Sequence, residues 1–412
     1  MIKVAFLGHG TVASSVIELL LKNKELIKAR CGKEIKPILA MSRSDKKGAK
    51  VPLTKDFGEI INSKADIICE LMGGTDAAFS YAKAVLESKT HLVTANKAML
   101  ALYREELSAL AAKNKVQIGF EASVAGGLPI IKILREALAA NEVKSIKGIL
   151  NGTSNYILTQ MQAGASFDAA LKEAQDLGYA EANPELDING QDAAAKIIIL
   201  ASLAFGIHAK RIASIGIDRL NEQDFAFASR FGYSIKSLAV ASLNPDKSLE
   251  LSVYPALIQS KNMLAKANGA INAVQINSDA LGQSLYYGAG AGGKETASAV
   301  VADLMDIAQN KQMPAFSYVN EGLKLASLND MQRRFYLRLK VADEVGVLSK
   351  IAKQMADLNI SVCDILQELG RGSATLFIST HEAKYAQLEQ LCLALGKESF
   401  LKDSPLLLPI EA

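Results

Sequence analysis

The stretch IKVAFLGHGTVASSVIELLLKN, residues 2–23, constrains the fold more than any other part of the chain. A run of strand character ends at Gly8, and after Gly10 the apolar positions change to helical spacing. Ala13 completes a G-x-G-x-x-A pattern. Glycines there allow a tight turn and let the backbone approach a pyrophosphate at the helix N-terminus, where unpaired amides concentrate positive charge. The strand before it and the helix after it give this short pattern its weight; a glycine-rich turn that binds nothing is the bland alternative. Strand-like runs recur at 35–42, 65–71, 90–95 and 115–123, with helical patterns at 77–89 and 103–114 between them. This alternation predicts an α/β architecture with a parallel sheet and right-handed crossovers.

Residues 1–140 are therefore expected to form a Rossmann-like NAD(P)-binding domain, with Gly8, Gly10, Thr11 and Val12 as cofactor contacts. An NAD-binding unit usually ends its second strand in Asp or Glu. Here the strand runs into AMSRSDKK, which puts Arg43 at the expected ribose position and Lys46 and Lys47 beside it. A guanidinium suits a 2′-phosphate, so NADP is the expected cofactor, while Asp45 keeps NAD possible. Ligands of such sheets lie beyond the carboxyl ends of the strands, which marks GGT at 73–75 and TANK at 94–97, including Thr94 and Lys97.

Beyond a helical stretch at 126–142 the rhythm changes. VKSIKGILNGTSNYILTQM reads as strand, polar turn and helix; its Asn151, Gly152 and Thr153 could present donors to a small polar ligand, or Thr153 or Ser154 simply caps the helix. The loop that follows carries Glu181, Glu185, Asp187 and Asp192 and runs into the helical pattern GQDAAAKIIILASLAFG. Apolar residues surround Lys196 on almost every side, and a buried ammonium is costly unless paired. Asp192 lies one turn before it, on the same helical face. A surface ion pair does not fit so apolar a helix, and a recessed lysine near carboxylates is a usable proton donor. Strand-like runs at 249–258, 270–279 and 282–290 predict a mostly antiparallel sheet with a face for dimerisation.

The pattern over Ala174, Gly178, Tyr179, Ala180, Asn183, Pro184, Asp187, Ile188, Gly190, Asp192 and Lys196 resembles the signature of homoserine dehydrogenases. The G-x-G-x-x-A turn, TANK, EASVAGGLPII, GILNGTSNYIL and YGAGAGGKETASAV resemble further family motifs in the expected order, so the resemblance covers essentially the whole chain. It implies reversible, NAD(P)H-dependent reduction of L-aspartate 4-semialdehyde to L-homoserine, in threonine, methionine and isoleucine biosynthesis. It also implies that Lys196 is the proton donor, Asp192 its partner, and Lys97 a cofactor, substrate or catalytic lysine; which lysine delivers the proton stays open. Glu181 is expected to hold the substrate ammonium, with Thr153, Tyr179 and Asp187 lining the same site. Gly178, Gly290 and Gly292 are carried over as cofactor contacts, and Glu121, Val124, Gly126 and Leu128 as carbonyl ligands of a monovalent cation such as Na+. The sequence departs from the family pattern at His9, in the glycine turn, and at GGKETA, which lacks a proline often found there.

The remaining segments complete the expected organisation: 141–310 a catalytic and dimerisation domain of α+β type, 311–332 a linker, and 333–412 a regulatory domain. The last of these resembles an ACT domain, a βαββαβ module that binds small amino acids. Asp343, Gly346 and Val347 match its turn, and Asn359, read as opening the next strand, would complete the effector site. The resemblance implies feedback by threonine and a homodimer or higher homo-oligomer. Net charge is +3 with no basic tract, which argues against nucleic acid or an anionic membrane as partner. No apolar run approaches the ~20 residues that span a bilayer, and the four scattered cysteines suit a reducing, cytoplasmic setting. Two other readings are a degenerate dehydrogenase that only senses amino acids, and a related NAD(P)-dependent amino-acid dehydrogenase. The first conflicts with the intact Lys97, Glu181, Asp192 and Lys196, and the second needs a different loop at 174–196.

Overall fold

The computed structural model describes residues 1–44, 47–311, 315–316 and 318–411. Asp45 and Lys46, part of the cofactor argument above, lie outside the described residues, as do four positions of the expected linker. The chain forms two compact units. One comprises 1–146, 195–212 and 272–323, and the other 147–194, 213–271 and 324–412.

The first unit is built on β1 (Ile2–Leu7), β2 (Ile35–Met41), β3 (Leu53–Thr54), β4 (Ile67–Glu70), β5 (His91–Thr94) and β6 (Ile118–Gly119). They form a six-stranded sheet in the order β3-β2-β1-β4-β5-β6, parallel at every pairing. That order places a topological switch between β1 and β4, with the glycine turn at its carboxyl end. The helix Thr11–Lys22 buries Ala13, Val16, Ile17 and Leu20 against Val4 and Phe6 of β1. A second helix from far along the chain, Gly293–Ala308, adds Val300, Leu304 and Ile307 to the same core.

Two expectations are corrected here. The strand expected over 115–123 is paired only at Ile118–Gly119, because Lys115 takes a left-handed conformation (φ 56°) and 121–123 form a 3-10 turn. Glu121 fixes that turn: its amide donates to Asp303 Oδ2 (2.8 Å) and its carboxylate accepts from the amides of Ile131 and Lys132 (3.0 and 2.8 Å). The helix expected over 126–142 shrinks to Ile130–Lys132 followed by a π turn over Ile133–Ala137, because 124–129 form a tight loop.

Further strands along the chain are β7 (Val143–Ile149), β8 (Ala213–Ser214), β9 (Tyr233–Leu243), β10 (Leu249–Gln259), β11 (Ile271–Ser278), β12 (Gly282–Ala289), β13 (Gln332–Ala342), β14 (Val362–Leu369), β15 (Ser373–Thr380), β16 (Ala383–Lys384) and β17 (Leu406–Glu411). In the second unit six of them run side by side as β9-β10-β17-β13-β15-β14. All these pairings are antiparallel except β10 with β17. From β13 onward, with helices Val347–Asp357 and Tyr385–Leu395, the elements follow βαββαβ order, interrupted only by the short β16. Their strand order, last-first-third-second, is that of the ferredoxin-like split βαβ.

This C-terminal region is not a separate body within its unit. One continuous core takes Ile157, Leu158 and Met161 from helix Gly152–Gln162 and Phe225 and Phe227 from helix Glu222–Arg230. It also takes Leu257 from β10, Tyr336 from β13 and Leu408 and Ile410 from β17. Inside the sheet, Glu411 accepts from Lys147 Nζ (2.6 Å) and Tyr254 Oη (2.9 Å), and Arg333 Nε lies 2.6 Å from it with its N–H directed off the oxygen. Arg333 also donates to Glu250, whose other oxygen lies 2.9 Å from Tyr254 Oη, so Glu250 and Glu411 share that phenol's single proton. Burial alone would raise the Glu411 carboxyl pKa, but Arg333 and Lys147 outweigh it and hold it below the usual range.

Candidate functional site

In the first unit the glycine turn has the geometry its sequence implies. Gly8 sits at φ 102°, and a Cβ there would lie 2.9 Å from the Leu71 carbonyl oxygen, so no side chain fits. Gly10 is the N-cap of helix Thr11–Lys22 and faces open space, with nothing within 4 Å of an added Cβ. Gly292 likewise caps helix Gly293–Ala308, and neither helix start has a side-chain cap. The two starts are neighbours: a Cβ on Gly293 would lie 2.9 Å from both Thr11 Cγ2 and Ser15 Oγ. At the Gly292 start the Glu295 carboxylate already lies against the backbone, whereas the Gly10 start is open and offers its unpaired amides to a pyrophosphate. Arg43 is exposed just past the end of β2.

A buried polar network sits beyond the ends of β4 and β5, and sequence reasoning missed its centre. Glu70 closes β4, with one oxygen accepting from the Thr94 hydroxyl (2.6 Å) and the other from the Met72 amide (2.9 Å). Burial pushes its carboxyl pKa up, while Thr94 and the Met72 amide oppose the shift. Asn96 donates from its amide to Thr94 Oγ1 and from Nδ2 to the Gly74 carbonyl, and its Oδ1 accepts from Met99. It thereby caps the helix Lys97–Asn114 and fixes Lys97 as that helix's first residue, half-buried. Thr94 thus turns its hydroxyl into the network. A glutamate at the end of the apolar run ADIICEL was the available signal.

Gly290 and Gly126 meet backbone to backbone. A Cβ on Gly126 would lie 2.7 Å from the Gly290 carbonyl oxygen, and one on Gly290 would overlap the Asn272 side chain. Glu121, Val124, Gly126 and Leu128 line a buried turn in which Ala125 and Gly126 both have positive φ (52° and 27°). The Leu128 carbonyl already accepts from Ile130 (2.8 Å), and the Glu121 carboxylate is engaged by two amides. Among the described residues no group of three or more His, Cys, Asp or Glu is placed to hold a metal ion.

In the second unit, Asn151 is the N-cap of helix Gly152–Gln162 and organises the acidic loop. Its Oδ1 accepts from the Ser154 amide (2.7 Å) and hydroxyl (2.9 Å), while its Nδ2 donates to Asp187 Oδ1 (2.6 Å) and Asp192 Oδ2 (2.8 Å). The Thr153 hydroxyl donates to the Tyr179 carbonyl (2.5 Å), which leaves it only acceptor capacity toward an ammonium. Tyr179 is 47% exposed, with its ring 5.0 Å from that of Tyr156, and Glu181 is exposed. Gly178 is the left-handed residue (φ 76°) ending helix Phe167–Asp176, where the Tyr179 amide reaches the Ala174 carbonyl (2.8 Å).

Asp192 and Lys196 share the helix Gln191–Phe205, the former in the second unit and the latter in the first. Lys196 is 8% exposed, as the apolar setting required. In the C-terminal region, Asp343 and Gly346 form an exposed turn, and Gly346 (φ 91°) caps the helix Val347–Asp357 without a side-chain bond. Asn359 does not open a strand. It is the left-handed residue (φ 55°) closing the far end of that helix, with its amide on the Ala356 carbonyl and that of Ile360 on Met355. Eleven helical residues at about 1.5 Å each separate it from the Gly346 turn, so one chain does not bring the two together.

Strand order, the glycine turn and the paired helix starts define a protein of the dinucleotide-binding, Rossmann-like class. A family model described as the NAD binding domain of homoserine dehydrogenase matches residues 8–121, and one described as homoserine dehydrogenase matches 129–305. The chain belongs to the homoserine dehydrogenase family. It is 44% identical to homoserine dehydrogenase of Helicobacter pylori, over 100% of this chain and 99% of that protein. It is 40% identical to the Neisseria gonorrhoeae protein of the same name, over 96% and 95%. The crystal structure of a Thiobacillus denitrificans homoserine dehydrogenase superposes with a TM-score of 0.94 at 37% identity, over 100% and 98% of the two chains. A hyperthermophilic archaeal homoserine dehydrogenase in complex with NADPH gives 0.66 at 27%, over 76% and 99%. Among the described residues no helix is long and apolar enough to cross a membrane.

Proposed function

We propose that the chain interconverts L-aspartate 4-semialdehyde and L-homoserine with NADP as the preferred cofactor. The observation that carries the site assignment is a lysine buried in an apolar helix one turn after Asp192, whose carboxylate Asn151 holds together with that of Asp187. A bound nicotinamide would supply the hydride for the aldehyde carbon. As the carbonyl oxygen takes up the electron pair, Lys196 Nζ stabilises the negative charge and delivers the proton that completes the alcohol. Asp192 orients that ammonium, Glu181 binds the substrate ammonium, and Thr153, Tyr179 and Asp187 line the same site. Gly8, Gly10, Thr11, Val12, Thr94, Gly178, Gly290, Gly292 and Lys97 hold the dinucleotide, with Arg43 on the 2′-phosphate. Lys196→Met is expected to abolish turnover with NADPH binding unchanged. Lys97→Met tests the other lysine as donor, and near-normal turnover of Lys196→Met would sink the assignment. Equal kcat/KM with NADH and NADPH would remove the role given to Arg43.

The finer reading divides the chain at 140, 310 and 332, with 333–412 as an ACT-type regulator that binds threonine in a cytoplasmic homodimer or larger homo-oligomer. The exposed Gly346 turn and uncapped helix start support a carboxylate site there. Asn359, at the opposite helix end, would enter that site from a second copy. Activity unchanged by saturating threonine overturns this. The buried turn at 124–128 supports a carbonyl-held monovalent cation, for which replacing Na+ by tetramethylammonium should lower kcat.

A further inference from the structure

Asn151 does more than end a helix. A cap needs only its Oδ1, which Ser154 occupies through both amide and hydroxyl. That double hold leaves the amide one orientation and aims both Nδ2 protons outward, where each meets a carboxylate. Asp187 Oδ1 and Asp192 Oδ2 therefore sit on a single nitrogen, 2.6 and 2.8 Å away. Two carboxylates so close repel, and the side-chain amide is the one neutral group that can donate to both while accepting from the helix behind it.

We propose that Asn151 is a positioning residue for the dehydrogenase reaction, setting the separation of the Asp187 and Asp192 carboxylates and so the direction in which Asp192 faces along its helix. The inference rests on the reading of Asp187 and Asp192 as site carboxylates. It also gives the Asn in GILNGTSNYIL a role that helix capping does not require, because Ser and Asp cap equally well.

That equivalence supplies the test. Asn151→Ser and Asn151→Asp preserve the cap, but the first offers one donor and the second adds a third carboxylate. Asn151→Ser is expected to unfold in urea near the wild-type midpoint, whereas Asn151→Asp, which sets a third carboxylate against the other two, should unfold earlier. With L-homoserine and NADP+, kcat should fall about 10- to 100-fold in Asn151→Ser and further in Asn151→Asp, with KM for NADP+ within about twofold. Asp192→Asn is assayed alongside. Inactive Asp192→Asn with kcat within twofold of wild type in both Asn151 variants overturns the positioning role alone. In Asn151→Ser, a loss of kcat matched by a falling urea midpoint or a rising KM for NADP+ also overturns it, since it would mark a structural defect. Wild-type turnover in Asp192→Asn overturns the site reading, and this inference with it.

Discussion

Glu411→Gln tests what holds the second unit's sheet together. Lys147, Arg333, Glu250 and Glu411 balance to zero charge, and Glu411 is 2% exposed. A glutamine keeps the volume, but its amino group cannot accept, so at least one of Lys147, Arg333 and Tyr254 loses its oxygen, and one positive charge is left over. Breaking a buried ion pair costs about 3–5 kcal/mol. The Lys147 and Arg333 side chains keep 22% and 17% exposure, so water relieves part of that and about 3 kcal/mol is expected. Urea unfolding reads it as a lower midpoint at unchanged m-value. The loss should be pH-dependent. Because the Glu411 pKa is depressed in the folded state, its stabilisation is present above the ordinary carboxylate pKa and lost as pH falls through the folded value. The gap between variant and wild type must therefore close in acid. Adding Lys147→Met restores neutrality and should recover at least about 1 kcal/mol. A single variant within about 1 kcal/mol of wild type, or a double variant that is additive, would refute the reasoning.

Gly8→Ala places a Cβ 2.9 Å from a backbone oxygen at φ 102° and should cost more than about 2 kcal/mol of stability. Gly10→Ala meets nothing within 4 Å, so its urea midpoint should hold while KM for NADP+ rises; the opposite ranking would contradict the turn geometry. Burial pushes the Asp303 carboxyl up to about 7 and that of Glu121 up to about 8, so the folded state holds protons the unfolded chain has released. Stability should then decline as pH rises from the ordinary carboxylate range to about 8, and Asp303→Asn should flatten the part below 7; a flat wild-type profile contradicts this. Lys236, 3% exposed, donates to the Ala267 carbonyl (2.7 Å), Asn268 Oδ1 (2.9 Å) and Asn155 Oδ1 (3.3 Å), so Lys236→Met should lower stability by about 2 kcal/mol in urea.

Features carried by local periodicity were legible in the sequence. The glycine turn, β1, β2, β4 and β5 of the first sheet, the strands after 249 and the strand–helix–strand–strand run after 332 each follow from spacing within a few dozen residues, whereas the two-residue β3 gave no signal. Lys196 was legible as a charge in the wrong surroundings. Features set by distant partners were not. The stretch 121–137 abandons its apolar pattern because Glu121 and Asp303, far apart in sequence, need each other's hydrogen bonds. Strand β9 passed unnoticed because YSIKSLAVASL alternates poorly; it is paired along its length with β10 and buries Lys236. The turn before helix Gly152–Gln162 announced a cap at Thr153 or Ser154; the fold puts the cap earlier, at Asn151, because that side chain also has to meet Asp187 and Asp192.

Strand β17 carries a consequence for how the molecule is made. It lies between β10 and β13, pairing Ile410 with Leu257 on one side and with Arg334 on the other. Everything between residues 260 and 405 is synthesised before the strand that joins these two neighbours exists. Until residue 411 has left the ribosome, β10 is unpaired on that side around Leu257 and Ile258, and Tyr254 lacks its second carboxylate partner. Such long-range parallel closure is slow, and an unpaired apolar edge is a site for mispairing. The nascent chain therefore depends on what shields β10 during translation. Shortening it by a few residues before 411 would leave a full set of helices around a sheet that cannot close.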